Sequence, residues 1–327
     1  MLVVEAEVRG IRLVDFLLRF AGIGSPALAR SLLGAGEITV NGEDCLHDRK
    51  LRLGDVVIVA AAVAELSSGP AATRRGAPAR GRDGLPEVLW ESAHAVVIHK
   101  PPGMPTVPTR DGRDGGVHGQ LDELRPDGDL RIVHRLDRDT SGCLLLAKGL
   151  DAARHFDLAF REGLVHKTYV ALVDGVPNAA EFTIDAWLGP DPSRPGKVMV
   201  GPPETKGFRA ARTEVTIDKA YRRHAMLRLQ PRTGRGHQLR AHLASVGHAI
   251  VGDSDYGGRP LLLSELKNDY KLRPGVPEQP LLKRMFLHAQ RLVFDDLDGK
   301  HVEVVAPLPA DLEQAVRKLD KFDRARR

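Results

Sequence analysis

The sequence contains few of the features that mark specialised classes of protein. Of its 327 residues only Cys45 and Cys143 are cysteines, and two isolated cysteines supply neither a disulfide framework nor a zinc site. No apolar run approaches the roughly 20 residues that span a bilayer, and the longest, Asp55–Val63, has the length of a strand. The N-terminus lacks the basic segment and apolar stretch of a secretion signal. We therefore expect a cytoplasmic protein without a membrane partner.

Familiar nucleotide-binding and hydrolase motifs are missing as well. The sequence has no glycine-rich loop of the Walker type, no dinucleotide fingerprint and no nucleophile elbow. Four histidines lie near one another, but they lack the i, i+4 pair of a helical zinc site and have no cysteine nearby; they are His224, His237, His242 and His248. We predict that most of them are core or hydrogen-bonding residues. No cofactor and no metal is expected.

Composition predicts two folded parts joined by a linker. Hydrophobic residues make up 42% of the chain and charged residues 28%, which is enough apolar material for a core. Residues 63–86 are mostly Ala, Gly, Pro, Ser and Arg and cannot bury enough surface to offset the entropy of ordering them. We therefore predict a small module over residues 1–62, a flexible linker over 63–86, and a larger domain over 87–327.

The N-terminal module shows the pattern of two helices on a small sheet. Apolar residues at helical spacing predict a first helix around Leu13–Phe20. Ser25-Pro26 has the pattern of an N-cap followed by proline in the first turn of a second helix. Two strands, Glu37–Val40 and Asp55–Val63, follow, the first ending in a predicted Asn41-Gly42 hairpin turn. By itself this pattern is compatible with a generic adaptor or dimerisation module.

The larger domain alternates strands with few helices. This irregular order favours an α+β fold with a largely antiparallel mixed sheet flanked by helices. The predicted strands are Val88–Trp90, Ala95–His99, Gly142–Lys148, Lys167–Val173, Ala211–Ile217, Ala225–Leu229, Leu287–Phe294 and His301–Val305. The predicted helices are Leu150–Arg161, His237–Val246 and Pro309–Leu319.

Three polar segments are candidates for chemistry. Ile132–Gly142 reads IVHRLDRDTSG and alternates acids with arginines between two apolar segments; by itself, such a loop is also compatible with a turn whose carboxylates cap backbone amides. Lys167–Val173 reads KTYVALV and carries Tyr169, a residue type that is more often part of a core. Pro231–Gly257 carries the sequence TGRGHQLR, which presents Arg235 just before a helix.

Taken in order, the segments KPPGMPTV, HRLDRDTSG, KTYVALVDG, TGRGHQLR and LHAQRLVF resemble the RluA-type pseudouridine synthases over residues 88–319. The N-terminal module is similar to the small RNA-binding module first known from small-subunit ribosomal protein S-four. The resemblance implies an enzyme that isomerises uridines in RNA without a cofactor. It also implies that Asp137 is the catalytic residue, with Tyr169 and Arg235 in the same pocket.

The resemblance gives each of these residues an expected role. Asp137 must be an ionised carboxylate that attacks the base or ribose, or stabilises positive charge at C1′, and we expect the Arg235 guanidinium to keep it ionised. The uridine must be flipped out of its stack to reach it, and Tyr169 would stack on the displaced base. Candidate RNA contacts are Arg135, Lys167 and Arg240 in the larger domain and Arg30, Lys50 and Arg52 in the module. That module carries seven basic and eight acidic residues through residue 62, a net charge of −1 that argues against strong phosphate binding.

The expected substrate is 23S ribosomal RNA, and the expected partner is RNA bound by a monomer. Transfer RNA is the alternative substrate, and a non-catalytic RNA-binding ribosome-assembly factor or an N-glycosidase that releases uracil are alternative functions. Two departures from the family pattern affect this prediction. Gly236 stands where the family motif has threonine, and residues 190–207 and 259–282 form long proline-rich stretches that do not follow the family closely.

Overall fold

The computed structural model describes residues 2–3, 10–20, 29–30, 33–34, 38–52, 54–59, 85–108, 114–125, 128–267, 269–271 and 275–324. The chain divides into two compact units, Met1–Gly76 and Ala77–Arg327. Most of the predicted linker lies outside the described residues, so the boundaries at 62 and 87 remain a prediction. Within the described part, no helix is long and apolar enough to cross a membrane.

The N-terminal unit contains a small antiparallel sheet and a helix. The sheet has the strand order β1-β4-β2-β3, and the core includes Leu13, Phe16, Leu17, Ile38 and Val57. The elements are β1 (Leu2–Val3), α1 (Leu13–Phe20), β2 (Ile38–Val40), β3 (Glu43–Asp44) and β4 (Val56–Val59). Residues 29–30 and 33–34 are helical, whereas Ser25-Pro26 and residues 60–63 of the predicted second strand lie outside the described residues.

The predicted hairpin turn between β2 and β3 is confirmed. Asn41 and Gly42 both have positive φ, 59° and 84°, as a two-residue turn that matches strand twist requires. Val40 pairs with Glu43 across it. The Asn41 side chain bonds Asp55 and the backbone N–H of Val56, which ties the turn to β4.

Among the residues described, eleven strands of the second unit form one sheet. Its elements are β5 (Glu87–Glu91), β6 (Ala95–Lys100), α2 (Leu121–Leu124), β7 (Leu130–Ile132), β8 (Ser141–Lys148), α3 (Gly149–Arg161), β9 (His166–Asp174), β10 (Glu181–Pro190), β11 (Val198–Gly201), β12 (Arg209–Ala220), β13 (His224–Pro231), α4 (Gln238–Ser245), α5 (Leu263–Leu266), β14 (Leu287–Asp295), β15 (His301–Val305) and α6 (Ala310–Phe322). The strand order is β11-β10-β12-β13-β9-β14-β8-β6-β5, with β15 on β14 and β7 on β8. All of these pairs are antiparallel except β14 with β8, which confirms the predicted fold class.

Helices cover both faces of the sheet. Since alternate residues of a strand point to opposite faces, one strand packs against a helix on each side. In β9, Ala171 and Val173 share a core cluster with α4, whereas Val170 and Leu172 share one with α6. On the other half of the sheet, Phe156 of α3 packs into a cluster with strands β6 and β8. Burying such a side chain contributes about 1.5–3 kcal/mol, so these helices are fixed to the sheet that carries the polar loops.

The sequence did not predict the pair β10 and β11. Within the proline-rich stretch 190–207, Val198–Gly201 pairs with Trp187–Pro190 as an edge strand. Phe208 lies so close to Gly189 and Gly201 that a Cβ at either position would come within 2.5 Å of its ring. The glycines therefore let the aromatic ring pack on the hairpin, a contact that no local hydrophobic alternation reveals.

Candidate active site

One cleft of about 540 Å³ collects most of the residues singled out in the sequence. Its lining includes Asp137, Tyr169 and Arg235, together with Arg135, Lys167 and Arg240. The remaining predicted RNA contacts, Arg30, Lys50 and Arg52, belong to the N-terminal unit and are exposed. The cleft is therefore formed by the loop before β8, the middle of β9, and the loop that leads into α4.

The loop that carries Asp137 is held on both sides of that residue. The Thr106 hydroxyl donates to the carbonyl of Leu136 at 2.9 Å and accepts its N–H at 3.0 Å. The buried Lys100 ammonium donates to the carbonyls of Arg138, Met104 and Pro101 at 2.7–3.0 Å. Burial lowers the pKa of Lys100 to about 7, whereas three carbonyl acceptors match the three hydrogens of its charged form.

His134 fixes the beginning of the same loop. Its Nε2 accepts the N–H of Leu145 at 2.9 Å, and its ring stacks on Phe160 at 4.4 Å between centroids. Burial lowers the pKa of His134 to about 3, so the ring stays neutral and accepts this bond at physiological pH. His134 is thus a structural residue at the edge of the cleft.

Gly142 allows the loop to enter the sheet. Its φ is 122°, and a Cβ there would lie 2.1 Å from the carbonyl oxygen of Ala289. The parallel pairing of Gly142 with Ala289 therefore depends on the missing side chain. This contact explains the glycine at the end of the TSG sequence.

The structure places Arg240, rather than Arg235, against Asp137. The Arg240 Nη1 lies 3.3 Å from Asp137 Oδ2, and its side chain is only 9% exposed. Arg235 is exposed, and its Nε donates to the carbonyl of Ala210 at 3.2 Å. The expectation that Arg235 supplies the charge beside Asp137 is therefore wrong, because Arg240 supplies it; a phosphate contact by Arg240 stays a prediction.

Arg240 is fixed by two further carboxylates that the sequence analysis missed. Asp253 accepts from Nε and Nη2 at 2.7 Å each, a bidentate pair, and Asp255 accepts from Nη2 at 3.0 Å. Burial opposes the charge of Arg240, but the Asp253 carboxylate outweighs it and raises the pKa of Arg240. The GDSDYG segment offered no signal for this pairing, because hydrophobic periodicity carries no information about which charges meet across thirteen residues.

The ring of Tyr256 supports this ion cluster from below. The Arg240 guanidinium carbon lies 4.8 Å from the ring centroid, a cation–π distance. The Tyr256 hydroxyl accepts the N–H of Val198 at 3.0 Å and lies 3.0 Å from His237 Nδ1. Lys197 pairs with Asp255, so β11 is joined to the same cluster.

The Tyr169 phenol and the His237 imidazole complete the surroundings of Asp137. Tyr169 lies on β9 between Leu229 and Ala289; burial, with Asp137 nearby, raises its pKa, so the phenol stays neutral. His237 Nε2 lies 3.9 Å from Asp137 Oδ1. The sequence analysis predicted a core or hydrogen-bonding role for most of the four histidines and did not place His237 beside the carboxylate.

The arrangement provides a partly exposed carboxylate in a cleft with an aromatic wall. Asp137 is 19% exposed, which leaves it accessible to a ligand, while Arg240 stabilises its negative charge. Within the described part of the chain, no group of three or more His, Cys, Asp or Glu residues is arranged to hold a metal ion. Cys45 and Cys143 are both buried and free. The chemistry that these residues support is nucleophilic or electrostatic catalysis by a carboxylate.

Comparison with known proteins agrees with this geometry. The family model described as RNA pseudouridylate synthase matches residues 94–245. The chain is 31% identical over 318 residues to ribosomal large subunit pseudouridine synthase C of Vibrio cholerae, covering 97% of this chain and 95% of that protein. It is 32% identical over 320 residues to the protein of the same name in Escherichia coli, with 97% and 95% covered.

A solved structure shows the same fold. Human RNA pseudouridylate synthase domain containing 4 superimposes with a TM-score of 0.55 at 25% identity, covering 71% of this chain and 92% of that one. The family match, the extent of the two bacterial relatives and this superposition agree with the RluA-type motifs around Asp137. The chain therefore belongs to the RNA pseudouridylate synthase family and is a pseudouridine synthase of the RluA type.

Proposed function

We propose that this enzyme converts specific uridines of 23S ribosomal RNA to pseudouridine, with Asp137 as the catalytic residue acting on a flipped-out nucleotide. The observation that carries the proposal is the unequal environment of the two Asp137 oxygens. Oδ2 is bound by Arg240 at 3.3 Å, whereas Oδ1 has His237 Nε2 at 3.9 Å, beyond hydrogen-bond distance. One oxygen anchors the carboxylate, and the other is available to the substrate.

The reaction needs a carboxylate that stays charged away from bulk water. It breaks the N1–C1′ bond of uridine, turns the base, and joins C5 to C1′. Positive charge develops at C1′ as the first bond breaks, and a fixed anion in a sheltered site stabilises it far better than in water. The Arg240–Asp253 pair holds Asp137 in place before the substrate arrives.

Base flipping is part of the proposal because Asp137 lies inside a cleft. A stacked uridine cannot bring its glycosidic bond to a carboxylate that lies inside a cleft. The cleft volume of about 540 Å³ lies within the range of sites that enclose a small ligand, which leaves room for one nucleotide. Tyr169 forms part of the wall, and its ring is suited to stack on the displaced uracil.

The surroundings of the cleft favour an anionic polymer. Its rim includes Arg135, Arg161, Arg232 and Arg235. A second cleft of about 320 Å³ shares Lys167, Pro231 and Arg232 with the first and is also lined by His166, Arg291 and His301. Phosphates that exchange with the carboxylate partners of such exposed arginines would contribute most of the affinity for RNA.

The ribosomal target comes from the relatives. Two proteins named ribosomal large subunit pseudouridine synthase C match this chain over nearly its full length. The exposed Arg30, Lys50 and Arg52 of the N-terminal unit would add phosphate contacts, as the S-four resemblance implies. The choice of nucleotide depends on the hairpin of β10 and β11 and on residues 259–282, which vary from the family pattern.

Mapping of pseudouridine in cellular RNA tests the proposal. Ribosomal and transfer RNA would be isolated from cells that lack the gene and from the same cells complemented with the wild-type enzyme or with Asp137→Asn. Carbodiimide modification followed by primer extension reveals each pseudouridine. We expect a site in 23S RNA that appears with the wild-type enzyme and is absent with Asp137→Asn, although that variant folds and binds RNA normally.

Each alternative function or substrate predicts a different result. A site confined to transfer RNA would replace the substrate assignment while keeping the chemistry. Release of free uracil in an in vitro assay would indicate an N-glycosidase. Equal ribosome assembly with the wild-type enzyme and with Asp137→Asn, without new pseudouridine, would indicate a non-catalytic factor. Pseudouridine formation by Asp137→Asn would overturn the assignment of the catalytic residue.

A further inference from the structure

His237 is held against the reaction centre in a backbone conformation that few residues adopt. Its φ is 52° and its ψ 19°, in the left-handed region, which costs energy for a residue with a side chain. This conformation separates the exposed loop with Arg235 from the first turn of α4. The His237 ring lies next to both Tyr256 and Asp137, whereas the Arg235 Nε on the other side of the turn donates to the carbonyl of Ala210.

The hydrogen bonds around Tyr256 fit a His237 ring that carries its proton on Nε2. The N–H of Val198 donates to the Tyr256 hydroxyl oxygen, and the hydroxyl hydrogen is then free to be donated to His237 Nδ1 at 3.0 Å. Burial lowers the pKa of His237, which favours the neutral ring; in the tautomer with its hydrogen on Nε2, Nδ1 accepts from the Tyr256 hydroxyl. This tautomer also points an N–H, rather than a lone pair, at the Asp137 anion.

The distance between His237 and Asp137 leaves room for a substrate atom. Nε2 and Oδ1 are 3.9 Å apart, which is too long for a hydrogen bond. Both residues line the cleft. The Arg240 donors near Asp137 are already bonded to Asp137, Asp253 and Asp255, and the Arg235 Nε donates to Ala210. The Nε2–H of His237 is therefore a donor beside the reacting carboxylate that a ligand can use.

We propose that His237 is a second catalytic residue, whose Nε2–H donates a hydrogen bond to a uracil oxygen as the N1–C1′ bond breaks. The inference rests on the proposed function of Asp137. When that bond breaks, its electron pair leaves with the base, and the negative charge spreads over N1, O2 and O4. When C5 joins C1′, the same charge is consumed, the C5 hydrogen is released to water, and N1 takes up a proton. His237 keeps its own proton throughout, so it stabilises the charge without transferring a hydrogen.

The base as a leaving group supplies a direct test. Fluorine at C5 withdraws electrons and stabilises the uracil anion, so a 5-fluorouridine substrate needs less help from a hydrogen-bond donor. We would compare wild type, His237→Asn and His237→Gln with RNA carrying either uridine or 5-fluorouridine at the target. Asparagine tolerates the left-handed conformation but is too short to reach the Nε2 position, whereas the glutamine amide can reach it. Single-turnover loss of the N1-linked nucleoside, measured in digested RNA, reports bond cleavage.

We expect His237→Asn to slow cleavage of the uridine RNA by about 100-fold, the usual effect of removing one such donor. The loss should be about 10-fold or less with 5-fluorouridine, the dissociation constant for RNA should stay unchanged, and His237→Gln should recover part of the rate. His248→Gln is the matched control, because His248 lies after α4 and bonds the Asp174 carbonyl outside the cleft; it should cleave both substrates at the wild-type rate.

Three results would overturn the proposal. Equal losses on the two substrates would show that His237 only supports the loop. A loss confined to the dissociation constant would make it an RNA contact, and an unchanged rate would remove it from the reaction. Failure of the wild-type enzyme to form pseudouridine in any ribosomal or transfer RNA would instead contradict the proposed function itself, so the two failures are distinguishable.

Discussion

The two sides of the cleft are built from the same residue type in opposite ways. On one side, which we call the inner wall, Arg240 is buried among Asp137, Asp253 and Asp255 and lies on Tyr256. On the other side, which we call the outer rim, the arginines are exposed; they are Arg135, Arg161, Arg232 and Arg235. The side chains of the last three bond Asp157, Glu214 and the Ala210 carbonyl, respectively. In the inner wall, the Arg240 guanidinium has its carboxylate partners before any ligand binds. In the outer rim, exposed arginines can exchange their partners for a ligand.

This contrast separates chemistry from attachment. A buried charge that loses its partner costs several kcal/mol, so the inner wall can hold Asp137 in one geometry. An exposed ion pair contributes about 0–1 kcal/mol. A phosphate can therefore replace Glu214 as the partner of Arg232 at little cost. We infer that changes in the inner wall lower the rate of reaction, and that changes in the outer rim weaken RNA binding.

The largest effect should come from Arg240→Gln. Glutamine removes the charge that stabilises Asp137 and leaves the buried Asp253, whose side chain is 2% exposed, without its bidentate partner. We expect the single-turnover rate to fall by about 10²–10³-fold and the free energy of unfolding to fall by about 3–5 kcal/mol. Rates would be measured per folded molecule, with the unfolding free energy from urea denaturation.

Arg222→Gln is the control for the stability part of this effect. Arg222 lies 3.5 Å from Asp323, a carboxylate that is 0% exposed, and neither residue lines the cleft. This variant should lose stability but keep the wild-type rate per folded molecule. If it slows the reaction as much as Arg240→Gln does, the inner wall has no specific part in the chemistry.

Acid should destabilise the fold through three histidines, of which His134 lines the cleft while the buried His242 and His288 lie outside it. Burial lowers the pKa of His134 to about 3 and that of His242 and His288 to about 4, from about 6.5 in the unfolded chain. Between these values the unfolded chain binds more protons than the folded one, so stability falls with falling pH. We expect the melting temperature to drop steadily from pH 6.5 towards pH 4.

His134→Gln sharpens this prediction. The glutamine carbonyl can accept the N–H of Leu145 that His134 Nε2 accepts at 2.9 Å, but it has no proton to gain in acid. The variant should therefore start less stable at pH 7, because the stacking on Phe160 is lost, and show a shallower decline on acidification. An identical slope in both proteins would mean that His134 does not contribute to the acid sensitivity.

Sequence patterns predicted the parts of this molecule whose structure is set locally. The alternation of β9, the helical spacing of α3 and the Asn41-Gly42 turn each depend on residues a few positions apart, and their bounds agree with the structure to within a few residues. The family resemblance named Asp137 and Tyr169, which line one cleft. The pairing of Arg235 with Asp137 was wrong because two arginines five residues apart flank a left-handed turn at His237; both line the cleft, but only Arg240 bonds Asp137.

The remaining features depend on contacts distant in sequence. Lys100 reads as the end of an apolar strand, yet its ammonium bonds the carbonyl of Arg138, and Thr106 clamps Leu136 thirty residues away. Neither contact leaves a mark on hydrophobic periodicity, because a buried polar group is defined by the partners that satisfy it. The same reason hid Asp253 and Asp255 from the sequence analysis.

The smallest effect, and the sharpest test of the contrast between the two sides, is expected from Arg235→Gln. Because Arg235 is exposed and bonds only a carbonyl through Nε, its charge remains available to a phosphate. We expect RNA affinity to fall by about tenfold or less and the slope of log affinity against log salt to decrease by about 0.7–0.9, the value of one phosphate contact, with the single-turnover rate at saturating enzyme unchanged. Arg317→Gln, an exposed arginine of α6 paired with Glu313, is the matched control and should change neither quantity. A fall in rate comparable to that of Arg240→Gln, with affinity intact, would return to Arg235 the catalytic role that the sequence suggested and would place both arginines on the inner wall when RNA is bound.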